Sequence, residues 1–157
     1  MSLSSSSSFS SLTSWSMQHI NDIFEAPSDE ESLQAVDTTF SRHVEASVNG
    51  KPIQYRDIQR MVLALRTNSN LTVSWQQAQE SPDDATTNQS GKFNGSYIIK
   101  GIQRTLPDSN KWAEFERHKK VEVEIEPLAE DASHDSRKIT RLAFVATDVR
   151  VPHQASL

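Results

Sequence analysis

The chain has 157 residues, enough for one domain with a substantial core and short for two. Its apolar fraction is 35% and its formal charge −5, a balance that argues against a nucleic-acid partner, because phosphate binding needs clustered lysine and arginine. It has no cysteine, which excludes disulfides, thiol catalysis and thiolate zinc sites.

The nearest basic cluster, Arg117-His118-Lys119-Lys120, is followed at once by Glu122, Glu124 and Glu126, which cancel its field. No apolar run is long enough to span a bilayer, so no membrane contact is expected. Sequons begin at Asn70, Asn88 and Asn94, but no export signal precedes them, and the chain reads as intracellular, in the cytoplasm.

Residues 1–13 form a serine-rich leader with too little apolar surface to order itself. A single domain is expected over 14–152, with a tail at 153–157. Order should begin near Trp15, where Met17, Ile20 and Phe24 recur at helical spacing with Ile23 beside them. Pro27 closes that helix. Ser28 followed by Glu31 is a capping-box signal, and Asp29 and Glu30 place negative charge at the amino end of a second helix. Leu33, Val36 and Phe40 mark its buried stripe.

From Arg42 the period changes to two. Val44, Ala46 and Val48 share one face of a strand, and His43, Glu45 and Ser47 the other. Asn49-Gly50 is a tight turn, since both residues tolerate positive φ. After Lys51-Pro52-Ile53 a third helix carries Ile58, Met61, Val62 and Leu65 on one stripe.

The remainder reads as strands. Leu71, Val73 and Trp75 alternate with polar residues, and a long polar loop is expected over 78–92. A strand follows from Phe93 to Leu106, then a turn at Pro107-Asp108-Ser109-Asn110. Residues 112–127 alternate strictly from Val121 to Ile125, and 139–151 form the last strand after an acidic loop. Gly95 and Gly101 are expected at bends or bulges.

This order of helix, helix, strand, helix and a long antiparallel meander resembles the nuclear transport factor 2-like, or SnoaL-like, superfamily over residues 15–151. The capped helix, the strand closed by Asn49-Gly50-Lys51-Pro52, the amphipathic helix after it and the two closing strands carry the resemblance. It implies an α+β cone, in which a curved antiparallel sheet wraps around three helices from the amino-terminal half. It also implies homodimers paired through the sheet. Members include isomerases, cyclases, dehydratases, ligand binders and protein-binding adaptors, so fold alone does not select a chemistry.

In such a cone a catalytic site needs polar groups projecting among apolar ones. His43 and Glu45 point away from the apolar face of their strand. His118, Glu122 and Glu124 lie opposite Val121, Val123 and Ile125, where Lys100, Arg104 or Arg141 would pair with the carboxylates. The last strand is apolar on both faces: Leu142, Phe144 and Ala146 on one, Ala143, Val145 and Val149 on the other. One face then meets the interior and the other a partner subunit, or the chain's own termini.

Asp148 shares its face with Phe144. It is the candidate general base, with Tyr97 donating to a developing oxyanion; the plainer reading is a strand-end carboxylate paired with Arg150 or solvent. Trp75, Phe93, Tyr97, Trp112 and Phe144 either line a ligand pocket or fill the core. Glu130, Asp131, His134 and Asp135 make a metal-like grouping but sit in a loop without rigid spacing, so no metal is expected. Phosphate-cradling and serine-elbow motifs are absent, and no cofactor is expected. The sequence is read as a non-catalytic dimeric domain that takes a small apolar molecule. The rival is a cofactor-free isomerase, cyclase or dehydratase using Asp148 and Tyr97. A third possibility is a protein-interaction adaptor, for which a large exposed apolar patch would be the sign.

Overall fold

The structure, a computed structural model, describes residues 9–130 and 133–152. Most of the serine leader (1–8), Asp131 of the acidic loop and the tail 153–157 lie outside the described residues. Its elements in order are α1 (Leu12–Phe24), α2 (Asp29–Thr39), β1 (Phe40–Val48), β2 (Lys51–Ile53), α3 (Tyr55–Arg66), β3 (Thr72–Pro82), β4 (Gly91–Thr105), β5 (Trp112–Pro127) and β6 (Arg137–Arg150). The strands form one open sheet in the order β2-β1-β6-β5-β4-β3. Neighbours run antiparallel except β1 and β6, which are parallel. This is the α+β cone expected from the element order.

The first helix starts earlier than its apolar stripe suggests. The Ser11 hydroxyl accepts the Ser14 amide (3.0 Å), satisfying an otherwise orphaned donor, and Leu12 is fully buried. Gly91 makes the room: a Cβ there would lie 2.7 Å from Leu12 Cδ1 and 2.5 Å from the Ser81 carbonyl oxygen. Ahead of the cap, the buried Arg137 guanidinium donates to the Ser10 carbonyl (2.7 Å), the Asn88 carbonyl (2.9 Å) and Asp135 (2.8 Å). Phe9 and Trp15 lie across its faces. Order therefore extends into the last residues of the segment expected to be a disordered leader, because a buried cation recruits their carbonyl.

Ser28 accepts the Glu31 amide as its sequence position predicts, but Glu31 takes the Ser28 hydroxyl (3.1 Å) in return. The second helix ends at Thr39, so Phe40 opens β1 instead of closing the helical stripe. Arg66 of α3 donates to the last-turn carbonyl of Phe24 (3.1 Å) and to Asp29 (2.9 Å), pinning three helices together.

Two strand assignments need correction. Lys51–Ile53 is itself a strand, the return arm of a hairpin with β1 whose turn residues Asn49 and Gly50 have φ of 50° and 83°. The polar stretch from Ala78 to Pro82 belongs to β3, paired with β4 from Ala78↔Gly95 to Pro82↔Gly91, and leaves a loop only at 83–90. Backbone pairing holds this polar ribbon, so hydrophobic alternation does not report it.

Register breaks between Trp75 and Gln77 in β3 and between Ile99 and Ile102 in β4 curve the sheet. Gly101 sits in the second with φ of 90°, and a Cβ there would stand 2.2 Å from the Asn70 carbonyl oxygen. The concave side carries Phe93, Ile99, Val121, Val123, Ile125 and Ile139, all buried against the helices. Burial of each such side chain contributes roughly 1.5–3 kcal/mol. No helix among the described residues is long and apolar enough to cross a membrane.

Candidate functional site

Where the sheet curls away from the helices, a recess opens between them. Helix α1 supplies Ile20, Ile23 and Phe24 to its wall, and α3 supplies Ile58, Met61, Val62 and Leu65. The sheet side brings Phe40, Tyr97, Arg117, Lys119, Val121, Ile139, Leu142 and Phe144. The interior void is about 50 Å³, within a recess of about 580 Å³ that includes its open mouth. Small-molecule sites usually enclose ~300–1,000 Å³, so a ligand here must be small or must widen the cleft.

Tyr97 and Phe144 lie in the wall of this recess. Trp75 and Phe93 stand behind Tyr97 as a packed aromatic layer. The Trp75 ring lies 4.6 Å from Tyr97 and 5.9 Å from Phe93 between centroids, and its indole N–H donates to Asn21 of α1 (2.9 Å). Gly95 permits this approach, since a Cβ would come within 2.8 Å of the Trp75 ring. Trp112 needs correction: it opens β5 away from the helices, is 54% exposed and does not line the recess. At the strand end it lies beyond the helical cover.

Asp148 is on the concave side, and its carboxylate is clamped. Arg117, its direct cross-strand partner, donates through Nε (2.7 Å) and Nη2 (3.0 Å), and Arg104 of β4 donates through Nη1 (2.7 Å). The Arg117 hydrogen bonds hold its carboxyl below the usual carboxylate range, and burial opposes them only in part. An ion-paired carboxylate of lowered pKa is a weaker base. The partners are thus Arg117 and Arg104 rather than Arg150, and no hydrogen bond joins Asp148 to Tyr97. Burial keeps the Tyr97 hydroxyl protonated well above its ordinary range.

The outer face carries the expected ladder in part: Arg141 meets Glu45 (3.0 Å) and Glu124 (3.6 Å). Arg104, also placed there from sequence, instead serves Asp148. In the acidic loop, Asp135 is bound by Arg137, and no metal-like cluster occurs among the described residues.

Sequence reasoning missed Lys119. Its ammonium lies 4.1 Å from the Phe144 ring centroid, 5.2 Å from Phe24 and 5.3 Å from Tyr97. Although the residue as a whole is only half-buried, its amine is desolvated by these rings, and that burial, helped by the nearby Arg117 charge, lowers its pKa to about 7. No carboxylate meets it among the described residues. The signal was strand parity: Arg117 and Lys119 share the face of Val121 and Val123.

No protein-family model and no curated protein matches the sequence. Solved structures do match the fold. LinA aligns with a TM-score of 0.58 at 12% identity, covering 91% of this chain and 95% of LinA. The hexachlorocyclohexane dehydrochlorinase LinA-type3 of Novosphingobium barchaimii LL02 aligns at 0.57 and 12%, covering 91% and 94%. Mtr2 of Candida albicans aligns at 0.53 and 14%, covering 88% and 94%; as solved in complex with the Mex67 M domain, it aligns at 0.54. At such identities the likeness is one of fold. The chain has the nuclear transport factor 2-like fold, a scaffold shared here by a dehydrochlorinase and a protein-bound subunit.

Proposed function

We propose that this domain binds a small apolar molecule in the recess between α1, α3 and the curled sheet, and does so without catalysing a reaction. The observation that carries this reading is the lining itself, in which aliphatic and aromatic side chains from two helices and four strands converge on an open-mouthed recess. The arginine clamp on Asp148 supports the non-catalytic side of it, because the one carboxylate expected to act as a base is already engaged by two cations.

The domain acts as a homodimer through the outer face of the sheet. Val145 and Val149 of β6 are 56% and 47% exposed there, which favours a covering partner. The Mtr2–Mex67 neighbour supports protein contact as a use of this scaffold.

Binding is tested by titrating indole, a neutral aromatic probe, into labelled protein and following backbone amide shifts. Saturable shifts at Val62, Tyr97 and Leu142 are expected. Shifts absent there, or spread over the outer face, would remove the pocket reading. The rival enzyme reading predicts turnover abolished in D148N; binding without any Asp148 dependence supports the proposal.

A further inference from the structure

Resting on that pocket reading, we infer that the occupant is a small apolar monocarboxylate whose carboxylate pairs with Lys119 while its hydrocarbon body lies against α1 and α3. Three observations lead there. The wall is apolar except at Tyr97, Arg117 and Lys119. Of the two cations, Arg117 already holds Asp148 on the neighbouring strand, at 2.7 Å and 3.0 Å, a carboxylate it shares with Arg104. Lys119 has three ring faces around its ammonium, the nearest being Phe144 at 4.1 Å, and no carboxylate partner among the described residues.

An ammonium carries three N–H donors, and ring faces compensate their desolvation only in part. A ligand oxygen anion would supply the missing acceptor and the missing countercharge together, as a charge-assisted hydrogen bond. A neutral apolar ligand would leave the donors unmet. The charged or titratable groups near Lys119 are Arg117 from its own strand, Tyr97 of β4, whose ring lies 5.3 Å from the ammonium, and Asp148 of β6, one concave position beyond its cross-strand partner Ala146 and held by Arg117 and Arg104; α1, α3 and β1 add no titratable side chain to the recess. Nothing in the wall therefore competes with the ligand for the amine. Tyr97 is protonated and can donate to the second carboxylate oxygen.

The pairing has a pH signature. The free amine is lowered to about 7 by burial, and the anion binds its protonated form. Affinity should fall as pH rises through about 7, and binding below that range should take up little proton.

The test compares butyrate, hexanoate and benzoate with their primary amides by isothermal titration calorimetry on the full chain and on K119M. The acids should bind wild type more tightly than the amides, and K119M should lose about tenfold or more for the acids while keeping its amide affinity, which also reports that the variant folds. The straight-chain and aromatic acids distinguish an aliphatic source from an aromatic one. Equal binding of acid and amide by wild type overturns the inference and leaves the pocket reading standing. An acid preference that survives in K119M overturns it too, and moves the anchor to Arg117. Binding of neither class fails the pocket reading and this inference with it.

Discussion

Arg117 and Asp148 sit directly opposite one another on β5 and β6, and their side chains meet in a two-point ion pair of 2.7 Å and 3.0 Å. Arg104 reaches the same carboxylate from β4, so three strands are tied at the place where the sheet leaves its helical cover. Arg104 in turn lies over the Phe115 ring. The clamp holds the curled end of the sheet, and Lys119 lies next to it with no carboxylate partner among the described residues.

The clamp should show in acid. The Asp148 pKa is depressed in the folded state relative to an unfolded value near ~3.9, so its contribution is present above that value and is lost as pH falls through the folded pKa. D148N should cost about 1 kcal/mol at neutral pH, a modest figure because the pair is partly exposed. Urea titrations at several pH values should find the gap between wild type and D148N closing as pH falls below the unfolded carboxylate value and through the lower folded one. Parallel curves over the whole range would show that the pair does not stabilise the fold.

Lys119 predicts a slope of the same sign in a higher pH window. Its folded pKa, about 7, lies below the unfolded value near ~10.4. In the window between them the unfolded chain holds a proton the folded chain lacks, so stability rises with pH. Wild type should gain stability from about pH 7 to pH 9.5, short of tyrosine ionisation in the unfolded chain, while K119M should be flatter. K119M should also be the more stable protein at pH 7. An equal slope in both would mean that the amine is solvated.

Gly101 should not tolerate a side chain. Its φ of 90° and the 2.2 Å approach to the Asn70 carbonyl act together, and G101A should lose more than about 2 kcal/mol. Thermal denaturation would register this as a clear drop in midpoint. A near-neutral result would mean that the β4 bulge relaxes without cost.

The exposed Val145 gives a test of assembly. V145E places a charge in the middle of the outer face without touching the recess, and sedimentation velocity should show a dimer for wild type and a monomer for the variant. A wild-type monomer would remove β6 as an interface. A dimeric V145E would place the interface elsewhere.

Patterning was informative where one face of an element is buried and the other is wet. Ile58, Val62 and Leu65 marked α3, Val121, Val123 and Ile125 marked β5, and Asn49-Gly50 marked its hairpin turn, because each signal is local. The polar end of β3 was invisible, since backbone pairing with β4 holds it and the face toward α1 carries Glu80, which accepts the Thr13 amide, in place of an apolar side chain. The start of α1 was hidden for a related reason. Leu12 is buried only because Gly91 leaves space for it, and Ser10 is held by Arg137, 127 positions away.

The sequence by itself determined the class and order of the elements, from the periods of its apolar residues, its caps and its turn residues. Strand parity also put Asp148 on one face with Phe144, without saying whether that face was concave. Only the tertiary structure decided what those positions do. Register set Arg117 across from Asp148, and the bend of β4 let Arg104 join them, which turned an expected base into an ion-paired strut. The same curvature closed Phe24, Tyr97 and Phe144 around Lys119. Pairings of this kind depend on register and curvature between strands far apart in the chain, and no local pattern of polar and apolar residues encodes them.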